Sequence, residues 1–502
     1  MRDLIARLRS RPDLHINCFA DGQVVHRTFA ELYEDVLATA GALRAAGLRP
    51  RQHVGLCAPN SYDWVVADLA AIELDAVSVA LAPEYAVTMS TEELVKRFDL
   101  ALLLLAADEH ARRQADAPEV AAFGSLGAAR ARDTAPSPTP ADTFTLAFSS
   151  GTTGAPKAIL MSTSGTVDAI EEYDRQLGFR PSDSIFVVLP LSAFPQRLMA
   201  YTAIHCGFGI HLASVPDLFA AAGALQPTIV VGPPAFFEAL ELRYRPRIRA
   251  GEPVTPGPEA FGGKVRLALT GAAPARKESI ELLNGVGFPL YEFYGLTETS
   301  VISWNLPGAS RPGSVGRLLR PGTVRLAADG EILVRLTPPR SSGYYDEPDG
   351  GLTYRPDGWI ATGDVGRFDG DYLHIVGRKK SVIITRAGYK LQPEPIERAL
   401  CAEPAAAHAV VLGGEHAPVV TAVVSVRADE VGAETAGRLE EILGGCNDAL
   451  PEPARVARLV VTERPFTVAN GLLTRTLKVD RAAVAALLAG PDRTGSEADR
   501  AQ

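Results

Sequence analysis

At 502 residues, 47% apolar and 22% charged, the chain has a globular composition and the length of several domains of roughly 150 residues each. This excludes a small scaffold, a disordered chain and a protein embedded throughout in a membrane. A formal net charge of −9 supplies no basic field for nucleic-acid phosphates or anionic lipid, so any bound nucleotide is expected to be a small molecule. Five scattered cysteines, at 18, 57, 206, 401 and 446, form no C-x-x-C pair and fit a reducing compartment. The N-terminal MRDLIARLRSRPDLH has no apolar targeting core, and the longest aliphatic run, Leu100 to Ala107, is well short of the roughly 20 residues of a spanning helix. A cytoplasmic location without membrane insertion is expected; the oligomeric state is left open.

In chain order, TFAELYEDVLATAGALRAAGL (28–48) has helical apolar spacing and stops at Gly47, whereas HVGLCAP and DSIFVVLP are short apolar runs ending at proline. The stretch 128–140, rich in Ala, Pro and Thr, reads as a surface linker entering a strand at 143–148. Such alternation predicts a large α/β body with mostly buried strands. From 323 the texture changes: EILVRL, DYLHIVGR and SVIIT read as strands, PEPIERALCAE as a helix, and AVVLGG and PVVTAVVSV as further strands. The expected fold is α/β, with a large multi-sheet N-terminal domain (1–376), a hinge (377–381), a small mobile α+β C-terminal domain (382–486) and a flexible tail (487–502).

After the apolar run Phe144 to Phe148 comes Ser149-Ser150-Gly151-Thr152-Thr153-Gly154-Ala155-Pro156-Lys157. Glycines let backbone N–H groups converge on an anion, hydroxyls donate to phosphate oxygens, and Lys157 adds a mobile positive charge. The spacing is not that of a Walker loop, G-x-x-x-x-G-K-[ST]. Taken alone, such a segment is more often a solvated turn. Its neighbours decide: Thr270-Gly271-Ala272-Ala273-Pro274, Tyr291-Glu292-Phe293-Tyr294-Gly295-Leu296-Thr297-Glu298, Trp359-Ile360-Ala361-Thr362-Gly363-Asp364, Gly377-Arg378-Lys379-Lys380-Ser381, Ala387-Gly388-Tyr389-Lys390 and Pro393-Glu394-Pro395-Ile396-Glu397. Only eight of the 50 basic residues are lysines, and five of those lie within this series or at Lys478 near the C-terminus.

The ordered series resembles the adenylate-forming superfamily of acyl-CoA synthetases, nonribosomal adenylation domains and beetle luciferases. GRKKSVIIT, PEPIE and NGLLTRTLK look most like its long-chain fatty acyl-CoA synthetase branch. The resemblance implies an ATP-dependent, AMP-forming ligase that adenylates a small acid, releases pyrophosphate and passes the activated group to an acceptor, with ATP and Mg²⁺ required and CoA the expected co-substrate. It places Ser149–Gly154 and Lys157 at the β- and γ-phosphates, Thr297 at the α-phosphate and Glu298 at Mg²⁺. Gly271, Ala272 and Ala273 become one wall for adenine, with Tyr294 stacking opposite and Phe293 and Gly295 beside it. Asp364 becomes the acceptor for the ribose hydroxyls, Arg378 a ribose or phosphate contact and Lys380 the pivot of the small domain.

Two departures from that pattern matter. Where many relatives carry a lysine directly after glycine near the C-terminus, this chain has Gly471-Leu472; Lys478 is the candidate catalytic cation, with Arg475 as substitute. Relatives also usually place a His or aromatic residue at the position of Ala193, beside the substrate carboxyl group. Ala193, Phe194, Gln196, Arg197 and Thr270 are therefore the candidate substrate-pocket residues. These departures keep two alternatives to the CoA ligase open. One is an adenylating enzyme with a non-CoA acceptor, such as a diazotase that activates nitrite for an aryl amine in secondary metabolism. The other is an inactive binding paralogue.

Overall fold

The computed structural model describes residues 1–113, 117–148, 157–347, 351–385, 389–414, 416–417, 419–427, 432–474 and 479–489. The short apolar runs form parallel strands whose two faces are both covered, which is why they lack polar alternation. One sheet has 13 strands. Its parallel centre, in spatial order, is Leu290–Leu296, Leu267–Thr270, Ile229–Gly232, Ser184–Val187, Gly209–Ala213 and His15–Ala20. The hairpin strand Gln23–Thr28 closes one edge. At the other edge the chain turns antiparallel through Ser300–Trp304, Arg317–Leu318, Tyr372–Arg378, Ile360–Asp369, Glu331–Val334 and Val324–Leu326.

A second sheet of seven strands holds His53–Cys57, Val77–Leu81 and Leu100–Leu105 at its centre. The helix expected at 28–48 runs Phe29–Ala45, opened by a capping box in which Thr28 and Glu31 satisfy each other's backbone N–H groups. The stretch 128–140 lies mostly at the surface, as its composition suggests, and is also strapped to the body. Arg49 and Gln52 donate to the Thr134 carbonyl, Arg51 to the carbonyls of Thr139, Pro140 and Thr143, and the His53 ring meets Ser137 Oγ at 2.7 Å. Composition gives a loop's polarity; it does not reveal basic residues elsewhere that collect its carbonyls.

Beyond Arg378, a short 3₁₀ turn Lys379–Ser381 leads to the hairpin Ile383–Ile384 and Lys390–Leu391, the helix Glu394–Cys401 and a three-stranded sheet, Ala406–Leu412, Thr421–Val426 and Arg458–Thr462. The helix Glu394–Cys401 buries Ile396 and Leu400 into the core of this sheet. The run SVIIT thus yields a strand of only two residues, since the turn at Lys379–Ser381 consumes its start.

A buried charge pair ties the two large sheets together. The helix Phe194–Cys206 carries Arg197, which is 1% exposed and donates to Asp68 Oδ1 at 3.1 Å and Thr145 Oγ1 at 2.9 Å. Asp68, on the helix Tyr62–Glu73, also accepts from Tyr201 and Ser78. Removing one partner strands the other's charge in the core, a loss of about 3–5 kcal/mol. Arg197→Ala should therefore lower the stability read from urea unfolding by about that amount, with Arg197→Met plus Asp68→Asn recovering much of it. An Arg197→Ala protein as stable as the parent would remove the pair from this role.

Candidate active site

The strand Leu290–Leu296 carries the centre of the site. Gly295 is required there by close approach: a Cβ would lie 2.0 Å from the Ser300 carbonyl oxygen in the returning strand. The hairpin this permits is pinned by Thr299, whose hydroxyl accepts from Leu296 N–H at 3.1 Å and whose N–H donates to the Leu296 carbonyl at 3.2 Å. Thr297, half-buried, and Glu298, buried, stand at its tip.

The Tyr294 hydroxyl donates to Asp364 Oδ2 at 2.7 Å. Arg378 Nε donates to Asp364 Oδ1 at 2.8 Å, from the strand position directly paired with Asp364. An ionised carboxylate offers about four lone-pair positions, so each oxygen of Asp364 retains capacity for a vicinal pair of hydroxyls. Burial and the neighbouring Asp364 charge push the Tyr294 phenol well above its ordinary value, so it donates and does not ionise.

The Glu298 carboxylate accepts from Tyr344 Oη at 2.9 Å, and its backbone carbonyl accepts from Ser341 Oγ at 2.7 Å. Burial raises its pKa and the Tyr344 hydrogen bond partly opposes that rise. Tyr344 reaches it from the strand Ser341–Tyr344, which pairs with Ala158–Ser162, the strand that follows Lys157. Lys157 Nζ lies 4.7 Å from the centroid of the Tyr344 ring and 2.7 Å from Glu347 Oε2. The structure thus joins Lys157, Tyr344 and Glu298 in one set of contacts and Tyr294, Asp364 and Arg378 in another, with Tyr294 and Glu298 on the same hairpin. Ser149, Ser150, Gly151, Thr152, Thr153 and Gly154 lie outside the described residues, in the connection between the paired strands Thr143–Phe148 and Ala158–Ser162.

Among the described residues no three His, Cys, Asp or Glu side chains gather as a metal cluster. A single buried carboxylate is nevertheless a fitting donor for Mg²⁺, which usually takes one or two protein carboxylates and draws its other ligands from phosphates and water.

The remaining candidates are placed as follows. Ala272 is exposed and held at φ +68°, a left-handed conformation unusual outside glycine, and Ala273 is half-buried beside it. Gly271 faces the ring of Phe293. Thr270 is 1% exposed, and its hydroxyl has no partner among the described residues. Ala193 begins the helix Phe194–Cys206 without a side-chain cap, and Phe194 is buried against Phe144. Gln196 and Arg197 turn into the core: the Gln196 amide bridges Val188 N–H and the Val231 carbonyl, each at 3.0 Å, and Arg197 meets Asp68.

Lys380 is exposed in the 3₁₀ turn, and its neighbour Lys379 is anchored to Asp329 and Glu331 at 2.8 and 2.9 Å. Leu472 is 4% exposed in a core with Val410, Leu412, Phe466 and Val484. The position that lacks the lysine is thus an apolar packing position; Arg475 and Lys478 lie outside the described residues.

The motif reading did not single out Glu292. It is buried, and burial pushes its carboxyl pKa up to about 8, against the opposing effects of the Ala275 N–H and of Arg398 on the helix Glu394–Cys401. Its place between two aromatic residues, Tyr291 and Phe293, was the available signal. A cavity of about 240 Å³, lined by Glu241, Arg245, Arg276, Leu282, Ala402 and Pro404, lies between the large body and that same helix's end, apart from the Asp364 cluster.

The AMP-binding enzyme family matches residues 6–343. This chain belongs to that family. It is an ATP-dependent, AMP-forming ligase of the adenylate-forming superfamily. A long-chain-fatty-acid–CoA ligase from Mycobacterium bovis is 27% identical, with 93% of this chain and 91% of the relative covered. Among solved structures, the o-succinylbenzoate coenzyme A synthetase of Bacillus subtilis in complex with AMP matches with a TM-score of 0.75 at 24% identity, covering 95% of this chain and 96% of that one. An amide bond synthetase from Marinactinospora thermotolerans matches with a TM-score of 0.77 at 23% identity, covering 97% and 99%. These structures share the fold. No helix among the described residues is long and apolar enough to cross a membrane.

Hydrogen bonds to a charged group are worth about 1.5–3 kcal/mol, so Asp364→Ala should weaken ATP binding by about that much in calorimetry. Unchanged affinity would remove Asp364 from the nucleotide site.

Proposed function

We propose that this ligase adenylates a small acid and transfers the activated group to coenzyme A. The observation that carries the reading is Asp364, held between Tyr294 and Arg378, with Glu298 at the tip of the hairpin that carries Tyr294. In this reading Asp364 accepts from the ribose hydroxyls, and Arg378, bonded to it and 42% exposed in its side chain, reaches ribose or phosphate.

Lys157 exchanges Glu347 for the β- and γ-phosphates. Thr297 donates at the α-phosphate. Glu298 holds Mg²⁺, which when bound neutralises the phosphate oxygens and sharpens phosphorus as an electrophile. One oxygen of the acid bonds to the α-phosphorus as the bond to pyrophosphate breaks. The thiolate of CoA then attacks the acyl carbon, and AMP leaves with the bridging oxygen. Both steps bring negative groups together, so cations and fixed donors contribute more than an acid or base would.

Residues 377–381 serve as the hinge between a large domain (1–376) and a small one (382–486), with Lys380 at the pivot. Lys379 fixes the near side of the turn to the large sheet, and rotation beyond it lets one small domain serve both half-reactions.

A second reading, transfer to an amine, is favoured by Ala193, which puts no polar side chain at the helix start, and by Leu472, whose place in the small-domain core leaves no cation there. The amide bond synthetase of the same fold is a precedent for such an acceptor. Incubation with ATP and an acid panel that includes nitrite, with CoA or an aryl amine, separates the two. CoA-dependent AMP formation supports the first reading, and amine-dependent AMP formation the second.

If Lys478 supplies the charge that Leu472 does not, Lys478→Ala should depress adenylation by about two orders of magnitude or more. Consumption of a supplied acyl-adenylate should be largely spared. An equal, small effect on both steps would remove Lys478 from adenylation.

A further inference from the structure

Asp364 sits in an irregular stretch of its strand. Between Glu331–Val334 and Ile360–Asp369, Glu331 pairs with Val365 and Leu333 with Ala361, so that Ile332 alone stands opposite Thr362, Gly363 and Asp364. A bulge of this kind re-aims side chains and leaves ladder groups without a strand partner. Gly363 is held at φ +72° with nothing within 4 Å of where a Cβ would stand, so the glycine supplies a backbone conformation and not room.

Side chains meet the N–H groups that the ladder leaves over. Thr362 Oγ1 accepts from Asp364 N–H at 3.1 Å and donates to the Ile332 carbonyl at 2.8 Å. Gly363 N–H donates to Glu331 Oε1 at 3.0 Å. A glycine peptide has more freedom to turn than any other, and this bond holds it, and with it the residue that follows, Asp364.

The second oxygen of Glu331 faces the hinge turn. Oε2 accepts from Lys379 Nζ at 2.9 Å and from Arg355 Nη2 at 3.2 Å. Lys379 directly follows Arg378, which pairs with Asp364 across the ladder and bonds to it through Nε. Asp329 completes the group, with Oδ2 at 2.8 Å from Lys379 Nζ and Oδ1 accepting from Glu331 N–H at 3.2 Å. Glu331 is 4% exposed, so water does not readily replace a donor it loses. A carboxylate is planar and rigid, and a shift of Oε2 therefore moves Oε1.

We propose that Glu331 is a positioning residue for the nucleotide: through Gly363 it aims Asp364, and through Lys379 it makes that aim depend on the hinge turn. The inference rests on the reading that Asp364 takes the ribose, and adds to it a physical link between the ribose site and the turn Lys379–Ser381. The Lys379 side chain is 40% exposed, so its replacement should cost little stability while it breaks the link.

The test is calorimetric titration of the full chain with ATP and Mg²⁺, alongside urea unfolding. Lys379→Met should weaken ATP binding by about fivefold or more, the lower end of couplings between distinct sites, with the unfolding midpoint unchanged. Lys379→Arg, which keeps the charge, should restore most of the affinity. Glu331→Gln keeps an acceptor for Gly363 and loses the charge that Lys379 requires. Combined with Lys379→Met it should bind ATP no more weakly than Glu331→Gln alone, because both substitutions break one link. Coupling is reciprocal, so saturating ATP should slow amide hydrogen exchange at Lys379–Ser381 in the wild type and not in Glu331→Gln. Wild-type affinity in Lys379→Met would overturn the inference, as would additive losses in the double variant or equal ATP-induced protection in Glu331→Gln. Asp364→Ala in the same titration separates the two levels. If it also binds ATP as the wild type does, the nucleotide reading itself falls; if it binds weakly while Lys379→Met binds normally, the link to the hinge alone falls.

Discussion

The arrangement depends on one buried carboxylate. Asp364 sits on the strand Ile360–Asp369 and is gripped by a phenol from the parallel centre of the sheet and a guanidinium from the last strand before the 3₁₀ turn. A carboxylate 3% exposed is costly unless its lone pairs are used, and Tyr294 and Arg378 use one each. The same contacts fix three segments far apart in sequence around one point. Because the Tyr294 phenol is driven away from ionisation, the cluster's polarity is fixed: donors surround Asp364, and its remaining lone pairs await further donors.

Glu298 is enclosed and hydrogen-bonded to Tyr344, and Lys157 lies over the ring of the same tyrosine while paired with Glu347. An exposed pair of this kind is worth little, so exchanging Glu347 for a polyphosphate costs little. Catalysis of this type needs positions set before the substrates arrive. The buried Arg197–Asp68 pair contributes to that from a distance, since it locks the helix Phe194–Cys206 and with it the placement of Ala193 and Phe194.

The α/β class, the main strands and the change of texture near 323 could be read from the sequence because short, continuous apolar runs bounded by Pro, Gly and Asp alternate with helix-period segments. Asp364, Tyr294, Glu298 and Arg378 were legible as motif residues, each matched in order along the chain. Their mutual bonds were not, because Asp364 and Tyr294 are 70 residues apart and no local pattern encodes their contact. Arg197 illustrates the opposite problem. An arginine beside a suspected substrate stretch reads as a ligand, yet its partner is an aspartate 129 residues earlier, buried in the helix Tyr62–Glu73. Leu472 reads as a missing cation, and burial gives it a packing role that a sequence without coordinates does not display.

In the proposed reaction an oxygen of the acid attacks the α-phosphorus of ATP, whatever acceptor follows. Oxygen transfer tests it directly. With a substrate acid fully labelled with ¹⁸O, turnover in the presence of the acceptor should deliver one labelled oxygen to AMP and none to pyrophosphate. Label appearing in phosphate or pyrophosphate, or formation of ADP in place of AMP, would contradict it.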